Sequence, residues 1–394
     1  MSLRAITRMD EEGEAGPRAG RYVRQPAGYR SFLPAQLPPR PPIEIDGEMW
    51  RLLSDADRAL GRLDAVTQTL PDTNLFLLMY VRKEAVLSSQ IEGTQASLED
   101  IIRYEEKVEE AENPDDVEEV VSYIRALNHG LERLRDIPVS LRLIKEIHAK
   151  LMQGVRGQNK SPGEFRVVQN WIGSPGSRIE TAQFVPPAPN DLADVLGQLE
   201  AFMHADVDLP LLIQIGLIHA QFETIHPFLD GNGRLGRLLI TLLLCEKGVL
   251  REPSLYISYH FRRNKSEYYD RLQGIRDRGD WESWIKYFLR GVRDVGREAA
   301  NTASDILHLR EQHRRILSDN LSHALAGSAF KLIDHLYETP IISVQKASEV
   351  VGRTYANANT LIQQLVQLGI LEETTGRERG RRFRYSPYVD LFRD

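Results

Sequence analysis

The chain has 394 residues, 42% of them apolar, with 50 Lys+Arg against 56 Asp+Glu for a formal net charge of −6. At ~100–200 residues per domain that length makes two or three domains, with ample apolar content for their cores. The charge balance excludes a globally basic nucleic-acid coat. The single cysteine, Cys245, excludes an internal disulfide and a cysteine zinc site, and the longest apolar run, Leu238 to Cys245, has eight residues where a membrane helix needs ~20.

Residues 1–44 are rich in Gly, Pro and Arg, and Leu33 to Pro42 reads LPAQLPPRPP, so an irregular, extended arm is expected there. The first residues, MSLRAITRMDEEGEAG, lack the apolar stretch of a signal peptide, and a cytoplasmic protein without a membrane partner is expected. A helical region follows over 45–112. Trp50, Leu53, Ala56, Leu60 and Leu63 recur at three and four, as on one helix face. After Pro71-Asp72-Thr73 a second helix carries Leu75, Leu78, Met79, Arg82, Ala85 and Val86 to a stop at Gly93, and an acidic helix runs from Leu98 to Val108. From 113 to 295 the spacing predicts helices over Asp115–Arg135, Ser140–Gly154 and Pro189–Ala205. Between the last two, Val167–Ile172 and Arg178–Val185 flank a turn-rich GSPGS and predict a β-hairpin. LLIQIGLIHAQFETI after Pro210 and RLGRLLITLLLCEKG after Gly233 are nearly all apolar and predict buried central helices. Helices over Glu267–Arg276 and Asp280–Arg290 bring aromatic anchors. Residues 296–325 read as a helical connector. Over 326–394, helices at Phe330–Tyr337, Val344–Val351 and Tyr355–Leu368 and a short hairpin about Gly376 and Gly380 predict a winged helix.

One segment concentrates chemistry: His226-Pro-Phe-Leu-Asp-Gly-Asn-Gly-Arg-Leu-Gly-Arg237. Pro227 and the glycines break any continuous helix, and Gly231 and Gly233 admit close approach of a ligand. The next helix presents unpartnered first-turn N–H groups and the positive end of its dipole, which suit an anion. Arg234 and Arg237 share roughly one helix face and match phosphate oxygens. Asp230 suits Mg²⁺, and His226 accepts a proton near neutral pH. Walker A, GxGxxG and HExxH patterns do not occur in the chain.

HPFLDGNGRLGR resembles the signature of the Fic (filamentation induced by cAMP) family, HPFx(D/E)GNGRxxR, at every defining position. The resemblance extends over roughly 45–295. It implies a mainly α fold, a Fic-type helical core with a β-hairpin flap, preceded by a helical segment and followed here by the winged helix. It implies transfer of AMP from ATP to a Ser, Thr or Tyr hydroxyl of a protein, possibly the chain itself, with ATP and Mg²⁺ as cofactors. His226 is then the general base and Asp230 the Mg²⁺ ligand. Nucleotide contacts fall to Phe228, Leu229, Asp230, Gly231, Asn232, Gly233, Arg234, Arg237 and Asn264, with Arg234 on the β-phosphate, Arg237 on the γ-phosphate and Phe228 anchoring the loop. The Doc-like kinase branch carries Ala and Lys in this loop, and Gly231 and Gly233-Arg234 argue against it.

Ser88-Ser-Gln-Ile-Glu92-Gly93 is similar to the family's inhibitory pattern, (S/T)xxxE(G/N). A carboxylate at a helix C-terminus faces the negative end of the dipole, an unfavourable place worth ~0.3–1 kcal/mol unless a cation compensates. The resemblance names Arg237 as that cation. Ser88, four residues earlier on the same face, is expected to hydrogen-bond to Glu92. The 167–185 hairpin resembles the flap that registers a target segment by strand addition. His219 on its apolar helix is expected to be a buried structural histidine, and Cys245 a small core residue. In the C-terminal region, Arg377, Arg379, Arg381, Arg382 and Arg384 make a basic wing tip, and Thr354, Tyr355, Asn357, Asn359 and Thr360 begin the third helix, a pattern that fits DNA or a protein partner. Two other functions stay open: a DNA-binding regulator using the Fic site as a nucleotide sensor, and removal of AMP from a modified protein. A homodimer is the assembly the resemblance suggests.

Overall fold

The structure is a computed structural model. It describes residues 16, 18–70, 73–105, 113–155, 159–173, 176–376 and 380–393, without the side chains of 73–76. The expected break at Pro71-Asp72, the end of the acidic helix at Val108, and Arg377 and Arg379 lie outside these.

The expected irregular arm contains a two-stranded antiparallel hairpin, β1 (Gly20–Arg24) and β2 (Arg30–Pro34), with Tyr22 opposite Phe32. Its partner is distant in sequence, which is why composition hides it. Phe32, 1% exposed, packs with Ala19 and Phe184, and its N–H donates to the Val185 carbonyl at 2.8 Å. Gly20 has φ +138°, and a Cβ there would strike the Leu33 carbonyl.

The predicted helices follow in order, with the short α9 in addition: α1 (Gly47–Thr67), α2 (Thr73–Ile91), α3 (Leu98–Glu105), α4 (Pro114–Arg133), α5 (Leu141–Leu151), α6 (Leu192–His204), α7 (Leu211–Ile225), α8 (Asn232–Glu246), α9 (Ser258–Arg263), α10 (Lys265–Arg278) and α11 (Trp281–Asn320). Capping accounts for several starts. Asp46 accepts from Met49 N–H, Ser140 from Leu143 N–H, and Asp280 from Ser283 N–H. On α1 the buried stripe runs through Met49, Leu53, Ala56, Leu60 and Leu63, and Trp50, expected within it, is 55% exposed one residue past its edge. That stripe packs along α11, which continues without a break from the aromatic anchors through the expected connector for 40 residues. Every residue of α7 from Leu212 to Ile225 is buried, and α8 lies against it, so the two apolar helices form the centre as predicted.

The 167–185 segment departs from the expected hairpin. Among its described residues it closes through one antiparallel bridge, Ile172 with Phe184, and a 3₁₀ turn at Ile179–Thr181 rather than two paired strands. Ile179 is left outside any core, so this stretch lacks the alternating buried face that a longer ladder needs.

The C-terminal region comprises α12 (His323–Glu338), β3 (Ile341–Ser343), α13 (Val344–Val351), α14 (Tyr355–Gln367), β4 (Glu372–Glu373), β5 (Arg382–Arg384) and α15 (Ser386–Val389). Its sheet has the order β3-β5-β4, both pairs antiparallel. Thr354 caps α14, and Asn359 accepts from Arg381 at 2.9 Å, while Tyr355 is 56% exposed. No described helix is long and apolar enough to cross a membrane. Truncating Leu60, fully buried between α1 and α11, removes a core side chain that its neighbours cannot replace. Leu60→Ala is expected to lower the unfolding free energy by about 2–5 kcal/mol, read by urea denaturation.

Candidate active site between α7 and α8

The site begins where α7 stops. His226 is its C-terminal cap, at φ +49°, a left-handed conformation that a side chain adopts only when its surroundings hold it. Those surroundings are explicit. Arg166 Nε and Asn170 Nδ2 donate to the His226 carbonyl at 2.9 and 3.2 Å, and Arg166 N–H donates to Pro227 O at 2.9 Å. Asn170 also donates to Phe228 O. Asn232 closes the turn from the far side, accepting from Phe228 N–H and donating to Phe228 O, both at 2.8 Å. Phe228 is fully buried and stacks on His148 at 3.7 Å between centroids, which makes it the anchor expected of it. His148 in turn accepts from Gly163 N–H and donates through Nε2 to Asp230 O at 3.1 Å.

Gly231, at φ +74°, caps α8, and a Cβ there would meet Met152 Sδ. The open N-terminus of α8 then faces a cavity of about 240 Å³ lined by Glu92, Glu119, Lys160, His226 and Leu229 to Arg234. The structure thus brings His226, Leu229, Asp230, Gly231, Asn232, Gly233 and Arg234 together as predicted. His226 borders the cavity, with its Nδ1 buried and without a hydrogen-bond partner among the described residues. Burial, helped by the Arg276 and Arg166 cations, pulls its pKa down to about 4, so the ring is neutral and able to accept a proton.

Glu92 directly follows the last residue of α2 and lines this cavity. Arg237, 1% exposed, donates from Nη2 to Glu92 Oε1 at 2.7 Å and to Ser88 O at 3.0 Å, and from Nε to Ser88 Oγ at 2.9 Å. The expected Glu92–Arg237 pair is present. The expected Ser88–Glu92 hydrogen bond is not; Ser88 gives its hydroxyl oxygen to the same guanidinium, which has donors enough for both. A Cβ on Gly233 would collide with Glu92 Oε1, so this carboxylate stands directly over the first turn of α8, where an anion is favoured. Burial acts to raise the Glu92 pKa, but Arg237, with Arg234 and His226, outweighs it and holds the carboxyl below its usual range. Gly93 follows at φ +109°, letting the chain turn away.

Arg234 pairs with Glu119 at 3.2 Å, both side chains 4% exposed, and lies 4.0 Å from Asp230. Asp230 accepts from Gly231 N–H at 2.8 Å and Lys160 Nζ at 3.0 Å. Burial raises its pKa, and Lys160 and Gly231 N–H more than offset that. Among the described residues no cluster of three His, Cys, Asp or Glu can hold a metal. Of the three carboxylates on the cavity wall, Glu92 and Glu119 pair with Arg237 and Arg234, and Asp230 fits Mg²⁺, which takes few protein ligands when phosphates supply the rest. Asn264 does not line the cavity; it sits between α9 and α10 and donates to His260 O. Tyr256 and Tyr268 are buried core, and His219, buried between Gly236 O and Tyr268 Oη, is structural as expected. Cys245 is only partly buried at the edge of the core. Glu119, His148, Lys160, Arg166 and Asn170 were not singled out in the sequence, because each comes from a segment with no motif of its own.

Two family profiles match the chain: the Fic/DOC family N-terminal region over residues 50–132 and the Fic/DOC family domain over 138–244. The chain is similar to proteins named protein adenylyltransferase Fic. That of Culex quinquefasciatus is 30% identical over 158 residues, 40% of this chain and 27% of that protein. That of Aedes aegypti is 32% identical over 163 residues, again 40% and 27%. The matched part therefore spans just over a quarter of those relatives' length. In fold it resembles a Fic family protein of Desulfovibrio desulfuricans, with a TM-score of 0.57, 20% identity, and 87% of this chain and 97% of that one covered. A Fic domain containing signaling protein of Bacteroides thetaiotaomicron gives 0.50, 18%, 63% and 95%. In an NMR titration His226 is expected to stay neutral until about pH 4, where an exposed imidazole titrates near ~6.5. A midpoint near the ordinary value contradicts the buried site.

Proposed function

Since residues 50–132 and 138–244 make this chain a member of the Fic/DOC family, we propose that it transfers AMP from ATP to a protein hydroxyl and that Glu92 restrains the reaction. The observation that carries the reading is that a neutral histidine, an open helix N-terminus and Arg234 share one cavity whose anion position Glu92 fills. The neutral His226 imidazole takes the proton of the target Ser, Thr or Tyr. The target oxygen attacks the α-phosphorus, the bond to the bridging oxygen breaks, and pyrophosphate leaves. The N–H groups of Gly233 and Arg234 and the Arg234 guanidinium hold the phosphate charge, so catalysis is mostly positioning and charge stabilisation. Asp230 would hold Mg²⁺, which neutralises phosphate charge. Asn170 and Arg166 tie the 167–185 segment to the His226 carbonyl, placing a target segment laid along it beside the base.

With Glu92 on Arg237, that guanidinium is withheld from the γ-phosphate. A second reading, DNA contact by the C-terminal region, is favoured by the exposure of Tyr355 on the first turn of α14. Its mark is a DNA mobility shift that weakens as salt rises; no shift at low salt removes it. For the first reading, intact mass after incubation with ATP and Mg²⁺ is the measurement. Glu92→Gly is expected to raise self-modification by AMP about tenfold or more, and Glu92→Gly/His226→Ala to abolish it. Equal AMP gain in all forms would refute both base and brake.

A further inference from the structure

The last turn of α7 decides where His226 stands, and its free carbonyls form the negative end of the helix dipole. Two buried arginines from different segments answer them. Arg166 Nη2 reaches the Ile225 carbonyl at 3.4 Å, beside its bond to the His226 carbonyl. Arg276, in the last turn of α10 and 6% exposed, donates from Nη2 to the Glu223 carbonyl at 3.2 Å and from Nε to Thr224 Oγ1 at 3.4 Å. Thr224 gives its own hydroxyl proton to the Ala220 carbonyl at 2.9 Å, so its oxygen is able to accept.

A third contact of Arg276 leads away from α7. Its guanidinium carbon lies 3.9 Å from the centre of the Phe184 ring. Phe184 closes the 167–185 segment by pairing with Ile172, and its ring sits 5.7 Å from that of Phe32 on β2. One planar cation thus touches both the helix that leads to the base and the segment proposed to hold the target. Burying that charge is costly, and burial pulls the Arg276 pKa down to about 10. A glutamine avoids the cost, but it cannot bond two oxygens through its edge and offer a cation to a ring as well.

The charge also reaches the base. After burial itself, Arg276 is the group that most lowers the His226 pKa, ahead of Arg166, with Glu92 opposing both. The fully buried Glu223, three residues before His226, and Glu119, Lys160, Asp230 and Arg234 on the cavity wall are the other charged groups around it. Building on the transfer reading above, we propose that Arg276 is a positioning residue: it holds the end of α7 and the 167–185 segment in one fixed geometry, so that His226 meets the target hydroxyl.

Two measurements test this, with Leu60→Ala as the control for general destabilisation. By NMR, in the otherwise unchanged chain, Arg276→Gln is expected to raise the His226 midpoint from about 4 by about half a pH unit or more, because loss of a nearby cation favours the imidazolium. Arg276→Lys, which keeps the charge, and Leu60→Ala are expected to leave it in place. In the Glu92→Gly background, intact mass is followed against time and ATP concentration. Arg276→Gln and Phe184→Leu are each expected to lower turnover about tenfold with the KM for ATP unchanged, and the two together to lower it no further. An unmoved midpoint in Arg276→Gln, an equal shift in Leu60→Ala, a raised KM for ATP with turnover intact, or losses that multiply in the double variant overturns the proposal. If Glu92→Gly gains no AMP, the transfer reading fails, and the midpoint alone then decides whether Arg276 acts on His226.

Discussion

A guanidinium buried to 1% exposure must be answered by anions and acceptors, and Arg237 organises the molecule around that requirement. Its partners, Ser88 and Glu92, lie at the end of α2, 149 and 145 residues earlier in the chain, so one side chain ties the N-terminal helices to the central pair α7 and α8. Glu223 and Glu84, both fully buried nearby with pKa values pushed up to about 7 by burial, add to the environment that surrounds it. The placement of Glu92 over the first turn of α8 follows from this pairing, and so does the shape of the cavity.

A second set of contacts fixes the reacting group. The turn His226 to Gly231 has few bonds of its own, and its carbonyls are taken by Arg166, Asn170, Asn232 and His148. Arg166 and Asn170 belong to the segment that runs into the Ile172–Phe184 bridge, and the Val185 carbonyl of that segment accepts from Phe32 on β2. The N-terminal hairpin, the flap-like segment and the histidine turn are therefore one hydrogen-bonded assembly. Function-bearing loops are often mobile, but this one is held by charged and amide donors at 2.8–3.2 Å.

Much of the site was legible because its chemistry is contiguous. The run from His226 to Arg237 states a base, a carboxylate, a flexible turn and two cations within twelve positions, and a helix start places them together. The helical core was legible for a related reason, since α7 and α8 are largely apolar and buried along almost their whole length. What was not legible lies in contacts between distant segments. Glu119 sits in an acidic run that resembles any solvated helix face, and only the fold turns it toward Arg234. Phe32 has no local apolar partner, so its hairpin read as an arm. Trp50 read as core because spacing alone cannot tell the edge of a stripe from its centre. Ser88 was placed correctly but given the wrong partner, because helix spacing shows which side chains are near and not which donor they will meet.

The three bonds to Arg237 are unequal in origin: two come from Ser88, through its hydroxyl and its carbonyl, and one from Glu92. Exchange of the carboxylate for another anion leaves the first two untouched. The guanidinium keeps its rotamer and its plane, and little side-chain entropy is spent in reorienting it. Arg237 thus behaves as a clamped electrode whose counter-ion is interchangeable, and whatever competes with Glu92 contends for a single hydrogen bond rather than for the whole side chain.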